Sequence, residues 1–223
     1  MQILTILTTT AALIAGAASQ SCPPSEFIFA RGTTESGTLG STVGPSMQSA
    51  LKRAIPTMTI TGVVYPATDD FEISSAIGAR WLVDYVKRRA AECPDTKFAF
   101  GGYSQGCQVF HKARAGLAET QYTDRFIGAT LFGDPYMMAV GTLARVPPYW
   151  VGKIMDNCAR GDPVCGGGSN FLAHITGYTS STFRTSAEFL ADRLAGRAGN
   201  AKSPLSGHDE TLPDYTPTLP AWA

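Results

Sequence analysis

The sequence predicts an α/β fold, a three-layer sandwich in which a small central parallel sheet is covered by helices on both faces. Short apolar runs alternate along the chain with longer segments that repeat apolar residues at helical spacing. Glycine and proline separate these segments. The chain has 223 residues, 44% of them hydrophobic, which is enough for one domain with a sizeable core.

Each predicted strand is a short apolar or β-branched run that ends at turn residues, and each predicted helix shows helical periodicity. The predicted elements are, in chain order, strand 27–30, helix 46–54, strand 58–65, helix 74–92, strand 97–100, helix 105–116, strand 125–132, a weaker strand 153–156 and helix 186–194. Pro45 and Pro56 delimit the first helix. The Gly133-Asp134-Pro135 segment ends the strand before it.

Two of the predicted helices have an identifiable core-facing side. In the longest helix the inward stripe is predicted from apolar residues at helical spacing, namely Ala76, Ile77, Trp81, Leu82, Tyr85 and Val86. In the last helix, Phe189, Leu190 and Leu194 are predicted to face inward. These residues are interpreted as core and not as a ligand site.

Residues 1–19 are predicted to be a signal peptide. Residues 3–18 are mostly apolar or small, and Ala15-Gly16-Ala17 and Ala17-Ala18-Ser19 both suit cleavage after about residues 17–19. Secretion to the extracellular space would place the cysteines in an oxidising environment, where disulfides form. Residues 20–223 are then expected to be one domain, with a short proline-rich tail from Pro213 onward.

Charge and cysteine content narrow the functional classes. The formal net charge is zero, which gives no electrostatic reason to expect nucleic acid or stable membrane insertion. Five cysteines leave at least one unpaired, and Cys107 is expected to pack against the sheet as a small apolar residue. No Cys or His spacing suggests a metal site. We expect a monomer without a cofactor.

One pentapeptide carries the strongest functional signal. Gly102-Tyr103-Ser104-Gln105-Gly106 follows the apolar residues 98–100 and precedes a predicted helix. Strand, tight turn and helix in this order are the setting of a nucleophile elbow, which exposes a Ser hydroxyl above the sheet. Glycines flank the Ser because side chains there would crowd the turn. The alternative is an ordinary Gly-rich turn with a surface Ser.

A nucleophilic Ser needs a base within hydrogen-bond reach, and the chain has three histidines. His111 lies two helical turns beyond Ser104, about 10 Å along the axis, so it is predicted to be a helix surface or packing residue. His208 lies in the polar C-terminal segment. His174 fits the order nucleophile, acid, His that hydrolases of this type share.

The acid should lie between Ser104 and His174, where the candidates are Asp124, Asp134, Asp156 and Asp162. Asp134 is a competitor whose alternative role is to close a turn before Pro135. Asp162 is favoured because it lies between two cysteines whose pairing would fix its position. It would hold the His174 tautomer without taking the proton itself.

An oxyanion formed at the substrate needs preorganised donors. The backbone N–H of Gln105, directly after the nucleophile, is one predicted donor. The other is Thr33, through its N–H and hydroxyl, in the loop of residues 31–37 after the first strand. The alternative for this loop is a plain Gly/Thr-rich turn.

Taken together, these segments resemble the fungal cutinase and acetylxylan esterase family of secreted serine esterases. The matching pieces are Ala30-Arg31-Gly32-Thr33-Thr34-Glu35, Gly101-Gly102-Tyr103-Ser104-Gln105-Gly106, Gly161-Asp162-Pro163-Val164-Cys165, and His174 with Tyr178. The resemblance covers about residues 22–194. It implies a lidless α/β-hydrolase fold, with Ser104 as nucleophile, Asp162 as acid and His174 as base. It also implies an oxyanion hole from Thr33 and Gln105 and disulfides Cys22–Cys93 and Cys158–Cys165. The chain has Asp69-Asp70 near where many members carry an Asn that supports the oxyanion loop.

The resemblance implies an enzyme that cleaves ester bonds of cutin-type aliphatic polyesters and short acyl esters. A low cysteine count and the apolar residues 146–151, a candidate groove wall, favour a cutinase. Phe132-Gly133-Asp134-Pro135 favours the alternative, an acetylxylan esterase acting on an acylated polysaccharide. A third hypothesis is a secreted binding protein that has this fold but no catalytic turnover.

Overall fold

The computed structural model describes residues 22–138, 150 and 152–197. The predicted signal peptide, His208 and the proline-rich tail lie outside these residues.

Five parallel strands form the centre of the fold, in the order β2-β1-β3-β4-β5. The strands are β1 Ser25–Ala30, β2 Met58–Gly62, β3 Lys97–Tyr103, β4 Phe126–Phe132 and β5 Ile154–Asn157. Every residue of β1 and β4 is buried, as expected for parallel strands covered on both faces. The carboxyl ends of β1, β3 and β4 therefore meet at one edge, which carries the site described below.

Helices cover both faces of the sheet and confirm the predicted three-layer sandwich. They are α1 Gly44–Ala54, α2 Phe71–Glu92, α3 Gln105–Ala118, α4 Phe171–Thr176 and α5 Ser180–Leu194, with short 3-10 turns at Thr123–Arg125 and Pro135–Met138. α2 and α3 pack on one face around a cluster that includes Phe98, Phe100 and Phe110. α1 and α5 pack on the other, around Phe27 and Phe132.

The buried side of α2 differs from the prediction. The residues that face the protein interior are Ser74, Ser75, Gly78, Ala79, Leu82, Val86 and Ala90. Ala76, Ile77, Trp81 and Tyr85 are only half-buried and flank this stripe. Small side chains at the contact let α2 approach the rest of the core closely, so the bulky aromatics are displaced to the margin.

Several element boundaries also differ from the prediction, and one short helix is absent from it. β3 continues to Tyr103, because the backbone of Gly101 and Gly102 still pairs with β1. α5 begins at Ser180 and not at 186, because Thr179 and Thr182 form a capping box that starts the helix early. The short α4, which contains His174, was predicted as loop. Asn170 caps it by accepting a hydrogen bond from the N–H of Leu172.

The apolar segment 146–151 does not serve as a groove wall at Trp150, its one described residue. Trp150 is completely buried in the core, where its ring stacks on Phe126 and meets Phe100 and Phe110 edge to face. Its neighbours in that segment lie outside the described residues. Within residues 22–138 and 152–197, no helix has the length and apolarity needed to cross a membrane.

Two disulfides join Cys22 to Cys93 and Cys158 to Cys165, the pairing that the family resemblance implies. The first ties the segment before β1 to the end of α2. Cys107 is a buried free cysteine whose Sγ lies 3.5 Å from the carbonyl oxygen of Phe132. Burial raises the pKa of the Cys107 thiol well above its usual value, with the Asp134 carboxylate adding to the effect, so it stays an unreactive thiol.

The two disulfides should differ in their contribution to stability. The Cys22–Cys93 bond joins residues 71 positions apart in the sequence, and the Cys158–Cys165 bond joins residues 7 positions apart. Loop-closure entropy therefore predicts a loss of about 4 kcal/mol for the Cys22→Ala/Cys93→Ala variant and about 2 kcal/mol for Cys158→Ala/Cys165→Ala. Urea unfolding of both variants beside the wild type measures this. An equal or reversed ranking would contradict the loop-length argument.

Candidate active site

Ser104 occupies a strained turn between β3 and α3. Its φ is +54°, a backbone conformation that residues other than glycine rarely adopt. A Cβ on Gly106 would lie 2.6 Å from the carbonyl carbon of Ala30, and one on Gly102 would lie 2.6 Å from Gly106 itself. The two glycines are therefore required by close backbone packing. The turn leaves Ser104 half-exposed at the carboxyl edge of the sheet, as a nucleophile elbow does.

Asp162 and His174 form a buried hydrogen-bonded pair. His174 Nδ1 lies 2.7 Å from Asp162 Oδ2, with side-chain exposures of 3% and 0%. The same oxygen accepts a hydrogen bond of 2.8 Å from the hydroxyl of Tyr178, and Oδ1 accepts one of 2.7 Å from the N–H of Val164. A carboxylate is an acceptor only, so His174 Nδ1 carries the proton. The pair therefore presents the tautomer whose Nε2 is a proton acceptor.

The imidazole of His174 is held against Tyr103, the residue before Ser104. Its ring stacks on Tyr103, with centroids 5.0 Å apart, and the Tyr103 hydroxyl donates to the His174 carbonyl oxygen at 3.0 Å. On another side the ring lies against Gly133, where an added Cβ would come within 2.7 Å of Nδ1. Among the described residues, His174 Nε2 is buried and has no hydrogen-bond partner. It makes no hydrogen bond to Ser104 Oγ in this structure and is free to accept a proton.

Tyr178 donates a hydrogen bond to Asp162. Burial, followed by the hydrogen bond to Asp162, raises the pKa of the Tyr178 hydroxyl far above its usual value. Tyr178 therefore remains a neutral hydrogen-bond donor to this carboxylate.

The loop after β1 is held by Glu35, although most of its polar groups face solvent. The Glu35 carboxylate accepts hydrogen bonds from the N–H groups of Gly32, Ser41 and Thr42, at 2.7, 3.0 and 2.7 Å. Arg31 donates through Nε to the Glu35 carbonyl oxygen at 2.6 Å. These contacts fix the segment that contains Thr33, the predicted oxyanion donor, and Gly32 in the same segment lies against the Tyr103 ring.

A second set of contacts connects this loop to Gln105. Thr34 donates its N–H to the Ala67 carbonyl oxygen at 2.7 Å. The Gln105 side chain donates to the Thr68 carbonyl oxygen at 2.6 Å and accepts from Ser74 at 3.1 Å. Gln105 thus has a side-chain role in addition to its backbone N–H. Asp70 caps α2 by accepting from the N–H of Ile73 and is not part of this bridge.

The other candidate acid and base residues that the structure describes do not contact the Asp162–His174 pair. Asp134 is completely buried, but it contacts His111 and not His174. His111 is 4% exposed, so it is a packing residue and not a surface one. Cys158, Asp162 and Cys165 lie close enough together to suggest metal ligands. Both sulfurs are bonded to each other, however, and cannot coordinate a metal.

Four supporting residues were not assigned a role from the sequence: Tyr103, Tyr178, Glu35 and Ser74. Tyr103, Tyr178 and Ser74 act over 71, 16 and 31 residues of sequence, a separation that only the fold closes. Glu35 acts locally, on N–H groups three to seven residues away.

A strained Ser turn beside a buried Asp–His pair, on a parallel α/β sandwich, defines a serine hydrolase, and the comparisons specify a carboxylic ester hydrolase. The family model described as cutinase matches residues 21–194. The chain therefore belongs to the cutinase family. Cutinase 4 of Emericella nidulans is 38% identical over 76% of this chain and 71% of its own length.

Two solved structures have the same fold. A Trichoderma reesei cutinase in complex with a phosphonate inhibitor has a TM-score of 0.63 and 31% identity, over 84% of this chain and 78% of its own. An acetyl xylan esterase has a TM-score of 0.64 and 25% identity, over 78% of this chain and all of its own.

Replacing Glu35 should impair both the site and the stability of the fold. In Glu35→Ala, three backbone N–H groups lose their acceptor, so the loop is expected to loosen and kcat to fall by about tenfold. The free energy of unfolding should fall by about 2 kcal/mol. Ester hydrolysis and urea unfolding measure the two effects. Glu188→Ala, which removes an exposed carboxylate on α5, is the control. An unchanged kcat would show that the loop does not depend on Glu35.

Proposed function

We propose that this protein is a secreted serine esterase that hydrolyses cutin-type aliphatic polyesters and short acyl esters. The observation that carries the proposal is the Asp162–His174 pair, seated beside the strained turn of Ser104 with a free Nε2. In this proposal Ser104 is the nucleophile, His174 the base and Asp162 the acid. Gln105 and Thr33 donate to the oxyanion.

The mechanism follows from the roles of these groups. Ser104 Oγ attacks the ester carbonyl while His174 Nε2 accepts its proton, and the resulting imidazolium is stabilised through Nδ1–H by Asp162. The N–H of Gln105 and the N–H and hydroxyl of Thr33 stabilise the oxyanion. His174 then protonates the leaving alcohol. Water, activated by the same imidazole, hydrolyses the acyl-Ser104 ester and restores the enzyme.

Exposed apolar side chains on α4 and near the start of α2 support the proposal that the substrate is apolar. On α4, Phe171, Leu172 and Ile175 are 58%, 61% and 45% exposed, and the Phe171 ring lies 5.5 Å from that of His174. Near the start of α2, Phe71 and Ile73 are also about half-exposed. Ile73 precedes Ser74, which contacts Gln105. We call Phe71, Ile73, Phe171, Leu172 and Ile175 the apolar rim. Clustered exposed apolar side chains beside a site are typical of a surface that binds apolar material.

Secretion is proposed with residues 1–19 as the export signal and residues 20–223 as the catalytic domain. The two disulfides support it, because such bonds persist in oxidising compartments. The alternative substrate, acetylated xylan, is supported by the likeness to an acetyl xylan esterase. The apolar rim favours the polyester, since a polysaccharide offers hydroxyl groups to its binding surface.

Ser104→Ala should abolish hydrolysis. With the nucleophile removed, kcat on p-nitrophenyl butyrate is expected to fall by about a million-fold. A p-nitrophenyl phosphonate should label the wild type once, at Ser104, as read by mass spectrometry. Ser49→Ala, at an exposed Ser on α1, is the control. Full activity in Ser104→Ala would refute the mechanism, and no activity on any ester in the wild type would favour the binding-protein alternative.

Rates of the wild-type enzyme on several esters distinguish between the two proposed substrates. Butyrate preference and release of monomers from a cutin suspension would support the polyesterase. Activity confined to acetyl esters and acetylated xylan would assign the protein to the alternative.

Polar substitutions in the apolar rim should impair action on the polymer alone. Phe171→Ser/Leu172→Ser removes two exposed apolar side chains, so release from a cutin suspension should fall by about tenfold through weaker adsorption. Rates on soluble p-nitrophenyl acetate should change less than about twofold. Lys52→Ser, in the last turn of α1, is the control. Equal losses on both substrates would show that the rim acts on the chemistry and not on adsorption.

A further inference from the structure

We propose that the buried His111–Asp134 pair is a positioning device, which fixes the turn after β4 and thereby aligns the His174 imidazole with Ser104. The inference rests on the proposed function, because it assigns a role within that same site. Neither residue touches the reacting groups, so both are positioning residues and not catalytic ones.

The pair is a second His–Asp contact, separate from the first. His111 Nε2 lies 2.6 Å from Asp134 Oδ2, and the side chains are 1% and 0% exposed. Burial lowers the pKa of His111, the nearby Arg114 charge lowers it further, and Asp134 opposes both. His111 is therefore neutral and donates through Nε2 to Asp134 Oδ2. Its Nδ1 is buried without a partner among the described residues, as suits a ring that holds one fixed tautomer.

Asp134 uses both carboxylate oxygens to shape the turn. While Oδ2 accepts from His111, Oδ1 accepts from the N–H of Tyr136 at 2.9 Å. The Tyr136 ring in turn stacks on the His111 ring, with centroids 4.5 Å apart and an angle of 18° between the planes. The start of the segment after β4 is thus bound to α3 through one carboxylate and one stacked pair.

The residue before Asp134 supports the His174 ring. Gly133 has a φ of +61°, and a Cβ there would come within 2.7 Å of His174 Nδ1 and 2.9 Å of the Tyr178 hydroxyl. Gly133 also donates its N–H to the Asn157 carbonyl oxygen at 2.9 Å. Any shift of Asp134 is passed to Gly133 through a single peptide bond, and so to the surface on which His174 rests.

The same turn also contacts the nucleophile. Ser104 donates its N–H to the Phe132 carbonyl oxygen at 2.9 Å. Residue 132 therefore binds the backbone of Ser104, and residue 134, two positions further on, binds His111. His111 lies on α3, the helix that Ser104 begins. The His111–Asp134 pair thus connects α3 to the turn after β4, and this turn contacts the His174 ring. A displacement of about 1 Å of a reacting group can lower the rate of catalysis by a large factor.

The test compares Asp134→Ala, Asp134→Asn and His111→Gln with a matched control, Glu26→Gln. Glu26 is also buried and charged. It accepts from Thr61 and Tyr85 and pairs with Arg89, but it lies at the opposite end of β1 from the site. Loss of stability should therefore be shared by all variants, and loss of alignment should be confined to the first three.

Three quantities are measured on each protein. Active sites are counted by titration with a p-nitrophenyl phosphonate, and kcat and KM on p-nitrophenyl butyrate are expressed per titrated site. The low-field proton resonance of the His174 Nδ1–H bonded to Asp162 reports the seat of the imidazole without any substrate. Thermal unfolding monitors stability.

In Asp134→Ala, kcat per titrated site is expected to fall by ten- to a hundredfold, roughly, with KM constant within about threefold. The His174 resonance should shift or broaden. Asp134→Asn should retain more activity, because its amide oxygen can still accept from His111 or from Tyr136. Glu26→Gln should unfold at lower temperature with wild-type kcat per site and an unchanged resonance.

Wild-type kcat per site and an unshifted resonance in Asp134→Ala would overturn the inference. If Asp134→Ala does not fold, the same result in Asp134→Asn and His111→Gln would overturn it. A wild type without a phosphonate-reactive Ser104 would instead refute the proposed function. In that case the resonance still decides whether Asp134 holds the His174 ring.

Discussion

The approach of the Ser104 turn to the end of β1 is the constraint from which the rest of the site follows. Glycine at 102 and 106 lets the first turn of α3 lie against the backbone of Ala30, at distances that no side chain permits. This contact forces the positive φ of Ser104 and brings the loop after β1 alongside Gln105. The strain is local, and two glycines and the pairing of β1 with β3 over Ser25–Ala30 hold it in place.

Around this contact, the site is built from supports that each fix one component. Glu35 holds the loop of Thr33 through three N–H groups, and Gln105 holds the neighbouring segment through Thr68. Tyr178 and Val164 orient Asp162, which orients His174. Few of these groups would meet the substrate. Their common effect is preorganisation, because the loop of Thr33, Asp162 and the Nδ1 side of His174 are held in place before an ester arrives.

Local patterns in the sequence were sufficient for the fold class, and they led to Ser104, Asp162 and His174 as the predicted nucleophile, acid and base. The Gly-X-Ser-X-Gly segment specifies its own turn, and strands buried on both faces are continuous apolar runs. Contacts between residues far apart in the sequence could not be predicted from local patterns. His111 is polar and two turns from Ser104, so nothing local identified its contact with Asp134, 23 residues away. The stripe of α2 was misjudged because packing selected small residues over Trp81 and Tyr85. The brief α4 lacks the length that gives a periodic signal.

The ring closed by Cys158 and Cys165 has a consequence for the formation of the site. Asp162 lies inside this ring, and the disulfide fixes the ends of the segment that turns its carboxylate towards His174. In a chain whose cysteines are reduced this constraint would be missing, and only the hydrogen bonds from Tyr178 and Val164 would hold the Asp162 carboxylate. The position of Asp162 beside His174 therefore depends on oxidation of the chain as well as on its fold.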